Sequence, residues 1–131
     1  MSGTILQTIM RLALRSVIGL ALTALLLLGG YLAFTYHYTY SEGESVGFVQ
    51  KLSYKGWVCK TWEGEQIRAL ATLPAIPDKF FFTVRDSAVA DQINTHIGQK
   101  VVMVYQQHRG LPNCFGETEY FIVAVRPAPA D

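Results

Sequence analysis

The sequence carries little charge and almost no excess of either sign. Charged residues make up 16% of its 131 positions, and 11 Lys and Arg oppose 10 Asp and Glu. Proteins that bind nucleic acid usually carry a basic excess that neutralises phosphates, so this balance argues against that class. Half of the residues are hydrophobic, which excludes a disordered chain, and the composition is not that of a coiled coil.

The sequence also lacks the motifs that usually mark a catalytic site. It contains no P-loop, no GxGxxG, no HExxH and no GxSxG. Its three histidines, His37, His96 and His108, are scattered, and its two cysteines are far apart in the chain. We therefore expect no catalytic residue, no metal site and no cofactor.

One uncharged apolar run stands out from the rest of the chain. Residues 17–36 read VIGLALTALLLLGGYLAFTY, and a helix of this length covers about 30 Å, the thickness of the hydrocarbon core. The pattern predicts an uncleaved membrane span. A cleaved signal peptide is the alternative, but its apolar core is usually shorter, and Leu28-Gly29-Gly30 is a poor cleavage site.

The charges beside this run predict its orientation. Arg11 and Arg15 precede it, and Glu42 is the first charged residue after it, so the positive-inside rule keeps the N-terminus in the cytoplasm. Apolar residues at helical spacing before the run indicate that the helix begins early. Aromatic residues cluster where the chain leaves the lipid, as is typical of an interfacial belt; they are Tyr31, Phe34, Tyr36, Tyr38 and Tyr40.

The chain thus divides into residues 1–40, with the span, and an exported domain of residues 41–131. The domain is long enough for one small core. Its alternating aromatic and β-branched segments predict strands, and residues 86–98 predict a helix. The predicted strands are residues 47–54, 57–71, 79–84, 100–107 and 120–125.

Turn residues mark the joints of the domain. Lys55-Gly56 predicts a tight hairpin turn, and Gly47 and Gly64 inside strands indicate bulges or bends. Pro74 and Pro77 break the chain before the third strand. The continuous apolar run of that strand indicates burial on both faces.

The predicted helix has its own start and stop signals. Asp86 or Ser87 can cap its N-terminus, and Gly98 stands at its end. An apolar face forms at spacing four, with Val89, Ile93 and Ile97. The resulting order, β-β-β-α-β-β, best matches an OB-fold-like five-stranded barrel, and an SH3-like or other small barrel is the alternative.

The two cysteines are expected to form a disulfide. Cys59 falls in the second predicted strand and Cys114 in the loop before the fifth, and both face an oxidising compartment if the domain is exported. Free thiols, a redox pair, or a metal site with His108 are the alternatives. Redox pairs usually read CxxC and zinc sites need three or four ligands, and this spacing matches neither.

Two groups of side chains invite a functional interpretation. Glu63 and Glu65, like Glu117 and Glu119, are spaced to share a strand face, but such acids are more often solvated than catalytic. Aromatic side chains could stack on bases in an OB-type groove, yet core packing explains them more simply, since the domain has no basic excess. They are Phe48, Tyr54, Trp57 and Trp62.

Three blocks of sequence resemble a group of small bacterial single-pass membrane proteins of uncharacterised function. The blocks are SEGESVGFVQKLSYKGWVCKTWEGE, FFFTVRD and CFGETEYF, and the resemblance covers about residues 38–125. Some members are labelled 6-phosphogluconate dehydrogenase. We do not carry that activity over, because the chain has neither the length nor the glycine fingerprint of a dinucleotide domain.

These features predict a membrane-anchored, non-enzymatic binding or assembly module on the periplasmic side of a bacterial inner membrane. Its expected partners are the bilayer and an envelope or membrane protein, with no nucleic acid. An accessory subunit of a larger membrane complex, and a cysteine-based redox or enzymatic factor, are the alternatives. We expect the contact surface to lie in residues 62–65 and 109–119, with the candidates Trp62, Glu63, Glu65, Arg109, Phe115 and Glu117.

Overall fold

The structure, a computed structural model, describes residues 2–68 and 78–129. It divides between Phe34 and Thr35 into two compact units. The first unit is a helix, α1, which spans Ser2–His37 and whose last three residues belong to the second unit. The helix therefore begins well before the predicted span. By length and composition α1 suffices to cross a membrane, and the same properties fit a signal sequence.

Within the described residues, the second unit contains five strands and one further helix, in the predicted order β-β-β-α-β-β. The elements are β1 (Ser41–Lys55), β2 (Thr61–Arg68), β3 (Asp78–Val84), α2 (Ser87–Thr95), β4 (Lys100–Gln107) and β5 (Tyr120–Pro127).

The strands form a mixed sheet that closes in the order β1-β2-β3-β5-β4. Neighbours are antiparallel except β3 and β5, which pair in parallel at Thr83 and Phe121. β1 is long enough to pair with two strands. Its first half, residues 41–48, lies against β4, and its second half, residues 47–55, lies against β2.

The hairpin between β1 and β2 differs from the prediction. Lys55 pairs with Thr61, so the connection is the five-residue segment 56–60, not a tight turn at Lys55-Gly56. β2 consequently begins at residue 61 instead of 57, and Cys59 lies in the loop. The predicted end of this strand at residues 69–71, and both Pro74 and Pro77, lie outside the described residues.

The two strand glycines mark close packing and not bulges. The register shift of β1 lies between Val49 and Lys51. A Cβ at Gly47 would collide with the Ile67 carbonyl oxygen, and one at Gly64 would come within 2.6 Å of the Phe82 ring. A side chain at either position would collide with a neighbouring strand.

The hydrophobic core lies inside the closed sheet and is covered at one end by α2. Core side chains come from every described strand except β2, whose Trp62 packs against them, and from α2. They are Val49, Phe80, Phe82, Val84, Val89, Ala90, Ile93, Val101, Met103 and Ile122.

Two predicted burial patterns are corrected. β3 is buried on both faces only at its C-terminal end, because Thr83 on the outer face is buried whereas Phe81 on that face is half exposed. Phe80 and Phe82 point into the core. α2 is capped by the Asp86 carboxylate, which accepts from the Ala88 amide at 2.9 Å as predicted. The helix ends at Thr95, however, so Ile97 lies beyond it and is exposed.

Candidate functional site

Two loops of the domain are joined by a disulfide bond. Cys59 of the hairpin loop, residues 56–60, is bonded to Cys114 of the 108–119 loop, and their Cα atoms are 5.0 Å apart. This is the pairing expected from the sequence. Neither cysteine is a free thiol, so a mechanism that needs a reactive thiolate has no starting group here.

A buried carboxylate fixes the 108–119 loop to the sheet. Glu63 of β2 accepts hydrogen bonds from the hydroxyls of Thr61 and Thr83 at 2.6 and 2.7 Å, and from the Glu117 amide at 2.9 Å. Its side chain faces away from the core but is covered by the loop, and the residue is only 5% exposed. Glu63 is therefore a structural acceptor and not the solvated acid that its sequence context indicates.

An ion pair is a third link that holds the 108–119 loop. The Lys55 ammonium, at the base of the hairpin loop, lies 3.0 Å from the Glu117 carboxylate. The hydrogen bond to Glu117, and secondly the charge of that carboxylate, raise the pKa of Lys55. Both groups are about half exposed, so this pair orients the loops more than it stabilises the domain.

A cleft of about 370 Å³ opens beside these linked loops. Rings make up much of its wall: Tyr54 and Trp62 have centroids 5.0 Å apart, and Tyr36 lies edge to face with Phe115 at 5.7 Å. Tyr36 stands in the last turn of α1 and belongs to the second unit. The lining residues are Tyr36, Tyr54, Lys60, Thr61, Trp62, Val84, Arg85, Ser87, Cys114 and Phe115.

Arg85 is held between two rings at one side of the cleft. Its guanidinium carbon lies 4.0 Å from the Tyr36 centroid and 3.9 Å from the Phe121 centroid. Desolvation by the surrounding atoms lowers the pKa of Arg85, but a guanidinium keeps its charge at neutral pH. Contact with both rings restricts the movement of the Arg85 guanidinium.

The charge of the cleft has one sign. Among the described residues that line it, the charged side chains are Lys60 and Arg85, and both are cationic. Aromatic faces beside fixed positive charge suit a ligand that combines an apolar group with a carboxylate or another anion.

The six predicted contact residues separate into three pairs. Trp62 and Phe115 both line the cleft. Glu63 is buried beneath the 108–119 loop, and Glu117 faces Lys55. The remaining candidates lie elsewhere: Glu65 pairs with Lys51 and Phe81 within the sheet, and Arg109 approaches Glu119 and the Tyr40 ring.

Sequence reasoning missed the cationic part of the cleft. Lys60 and Arg85 were not among the candidates, and Tyr54 and Tyr36 were assigned to packing and to an interfacial belt. Arg85 carried a usable signal, because it stands between the buried end of β3 and the helix cap Asp86. A charged side chain that directly follows a buried strand has to face either solvent or a polar binding site.

His108 is buried against the last turn of α1. It is 3% exposed, its Nδ1–H donates to the Thr35 carbonyl oxygen at 3.1 Å, and its ring lies against Phe121. Its place is thus at the end of α1. Within residues 2–68 and 78–129, no three His, Cys, Asp or Glu side chains are grouped as metal ligands would be.

The domain described above coincides with a known sequence family. Residues 38–130 match the family described as Domain of unknown function (DUF8785). The chain belongs to this family. No significant similarity to a curated protein or to a solved structure was found. The match begins just after α1 and includes every residue of the cleft except Tyr36.

Proposed function

We propose that this DUF8785 protein is a membrane-anchored, non-enzymatic binding module on the periplasmic side of a bacterial inner membrane. The length and composition of α1 support an anchor. Arg11 and Arg15 support a cytoplasmic N-terminus. The Cys59–Cys114 bond supports an oxidising compartment for the domain.

We further propose that the domain is of the OB type. Three observations support this: the closed strand order, the parallel pairing of β3 with β5, and a helix between β3 and β4. Domains of this type bind through the face of their second and third strands and through the β1–β2 and β4–β5 loops. In this chain those two loops are the ones that the disulfide joins.

The observation that carries the proposal is the cleft beside the joined loops. Its rings and its two cations are held by the disulfide, by the hydrogen bonds of Glu63 and by the fold of β2 and β3. A site that is ordered before binding loses little entropy when a ligand enters. We propose that it receives an acidic segment with an aromatic or aliphatic side chain, presented by an envelope or membrane protein.

Site-specific photocrosslinking of the full chain in its own host tests this proposal. A photoreactive phenylalanine derivative replaces Trp62 inside the cleft or, as the control, Val123, an exposed residue of β5 that lies outside it. We expect a discrete protein adduct from position 62 and none of the same size from position 123.

Charge reversal in the same experiment tests the proposed chemistry. Lys60 is exposed at the mouth of the cleft, so Lys60→Glu leaves the core intact and should abolish the adduct formed at position 62. Lys51→Glu, an exposed lysine outside the cleft, is the matched control and should leave the adduct unchanged. An adduct that forms equally from both positions, or that survives Lys60→Glu, contradicts the proposal.

A further inference from the structure

The hairpin loop presents two apolar side chains directly to solvent. Trp57 is 103% exposed and Val58 is 94% exposed, values that correspond to no covering by the rest of the domain. Exposed apolar residues are ordinary when they occur singly. A tryptophan and a valine side by side at a loop tip instead indicate a surface that a bilayer or another protein covers.

The loop that carries these residues is held in place. Its base is closed by the pairing of Lys55 with Thr61, and Cys59, next to Val58, is bonded to Cys114. Such a loop keeps its tip extended without a partner. The ordering cost of inserting the tip into another phase has therefore largely been met in the free protein.

A chain of contacts connects this loop to Tyr36, in the last turn of α1. Cys114 precedes Phe115, whose ring packs against Tyr36 at 5.7 Å. Tyr36 is the last residue of the uncharged apolar run 17–36. The hairpin loop is thus joined, through one disulfide and one ring contact, to the segment that leaves the lipid.

The residues around the tip suit the surface of a bilayer. Tryptophan prefers the headgroup layer, where its ring is apolar and its N–H can find a polar partner. Lys55 and Lys60 flank the tip on both sides, and cations close to an anionic lipid surface are attracted to it. Lys60 is exposed, and Lys55 also faces Glu117.

We propose that Trp57 and Val58 form a second membrane contact, which enters the headgroup layer of the bilayer that α1 crosses. This inference rests on the proposed anchoring.

The two tryptophans of the chain provide the test, because each can serve as the single fluorescent reporter. The full chain is reconstituted in phosphatidylcholine–phosphatidylglycerol vesicles, with or without lipids brominated near the top of the acyl chains. In the Trp62→Phe variant we expect Trp57 emission to be strongly quenched by the brominated lipid and protected from iodide in the water. In the matched Trp57→Phe variant, Trp62 should be quenched far less by the lipid.

A substitution at the tip checks that insertion causes the quenching. Val58→Asp, combined with Trp62→Phe, places a charge beside the reporter at a fully exposed position that does not contribute to the core. We expect it to reduce the lipid quenching and to restore quenching by iodide. Unchanged lipid quenching would contradict the insertion of this tip.

Separate measurements distinguish failure of this inference from failure of the anchoring. If the protein floats with the vesicles after alkaline extraction but Trp57 is quenched only by iodide, the second contact is overturned and the anchor stands. If Trp57 is protected from both quenchers, another protein surface covers it and the inference is also overturned. If the protein does not float, the proposed anchoring itself is wrong.

Discussion

The burial of Glu63 depends on a loop that is distant in the sequence. In the sequence it stands in Trp-Glu-Gly-Glu, which is typical of a solvated strand. In the structure a segment 54 positions away donates its Glu117 amide to the carboxylate. Two threonine hydroxyls complete the set, so the charge is removed from bulk water but fully hydrogen-bonded.

Glu63→Gln should therefore destabilise the domain. A glutamine amide has one accepting oxygen, and its NH₂ group would face a hydroxyl or an amide that now donates to the carboxylate. We expect a loss of about 1–3 kcal/mol in the free energy of unfolding, measured by chemical denaturation of the detergent-solubilised chain. Glu65→Gln, two residues along the same strand and partly exposed, is the control and should change stability by less than about 0.5 kcal/mol. Equal losses in both variants would argue against the role of Glu63.

Arg85 makes ring contacts that a lysine side chain cannot make. The planar guanidinium stacks on Tyr36 and Phe121, whereas an ammonium is a compact charge on a flexible stem. We expect Arg85→Lys to lower stability by about 0.5–1 kcal/mol and to weaken the position-62 crosslink. Arg126→Lys changes an exposed pair with Glu44 outside the cleft and should leave the crosslink unaltered. A crosslink of equal strength in both variants would remove Arg85 from the site.

At the scale of elements, the link between the hairpin loop and the 108–119 loop is the main determinant of the site. Each loop alone has few backbone partners, and neither contributes to the hydrophobic core. The disulfide, the Lys55–Glu117 pair and the Glu63 hydrogen bonds hold them at one end of the sheet. The part of the cleft wall that the loops supply, Lys60, Cys114 and Phe115, is thereby held beside β2 and β3.

Removal of the disulfide should loosen both the fold and the cleft. The bond closes a loop of 55 residues, for which chain entropy gives a stabilisation of about 4 kcal/mol. We expect Cys59→Ser/Cys114→Ser to lose up to that amount and to give a weaker crosslink at position 62. Reduced wild-type protein, measured under the same denaturing conditions, should match the double variant. A double variant as stable as the oxidised protein would show that the other two links suffice.

The elements that local sequence determines were predicted well, and those that depend on distant contacts were not. The apolar run of α1, the cap at Asp86 and the order of strands and helix along the chain follow from patterns within about ten residues. The five-residue hairpin loop, the bulge between Val49 and Lys51 and the burial of Glu63 all depend on how strands close around the core. Trp62 and Phe115 are candidates from the sequence and both line the cleft, whereas Lys60 and Arg85 join them only through the fold.

At the scale of the whole molecule, the chain combines an apolar helix with a domain of almost balanced charge. Arg11 and Arg15 lie in α1, and the other nine basic residues and all ten acidic residues follow it. The family match starts at residue 38, so the DUF8785 domain begins where α1 ends. The charged residues that follow α1 therefore all lie beyond the apolar helix, and both basic residues of α1 precede its uncharged run.

The proposed topology predicts opposite locations for the two ends of the chain. Alkaline phosphatase, which is active only after export, should be active when fused after Asp131, while an N-terminal epitope tag should remain protected from protease added to intact spheroplasts. Arg11→Glu/Arg15→Glu removes the positive charges before the apolar run and should lower phosphatase activity per fusion molecule. Lys51→Glu/Lys79→Glu, which alters the same number of charges beyond the run, should not lower it.

Retention of the N-terminal tag on the membrane-bound fusion supports an anchor, since a cleaved leader would separate the tag from the domain. An active fusion without its tag would mean that α1 directs export but does not hold the domain at the membrane, and the second contact through Trp57 would lose its premise.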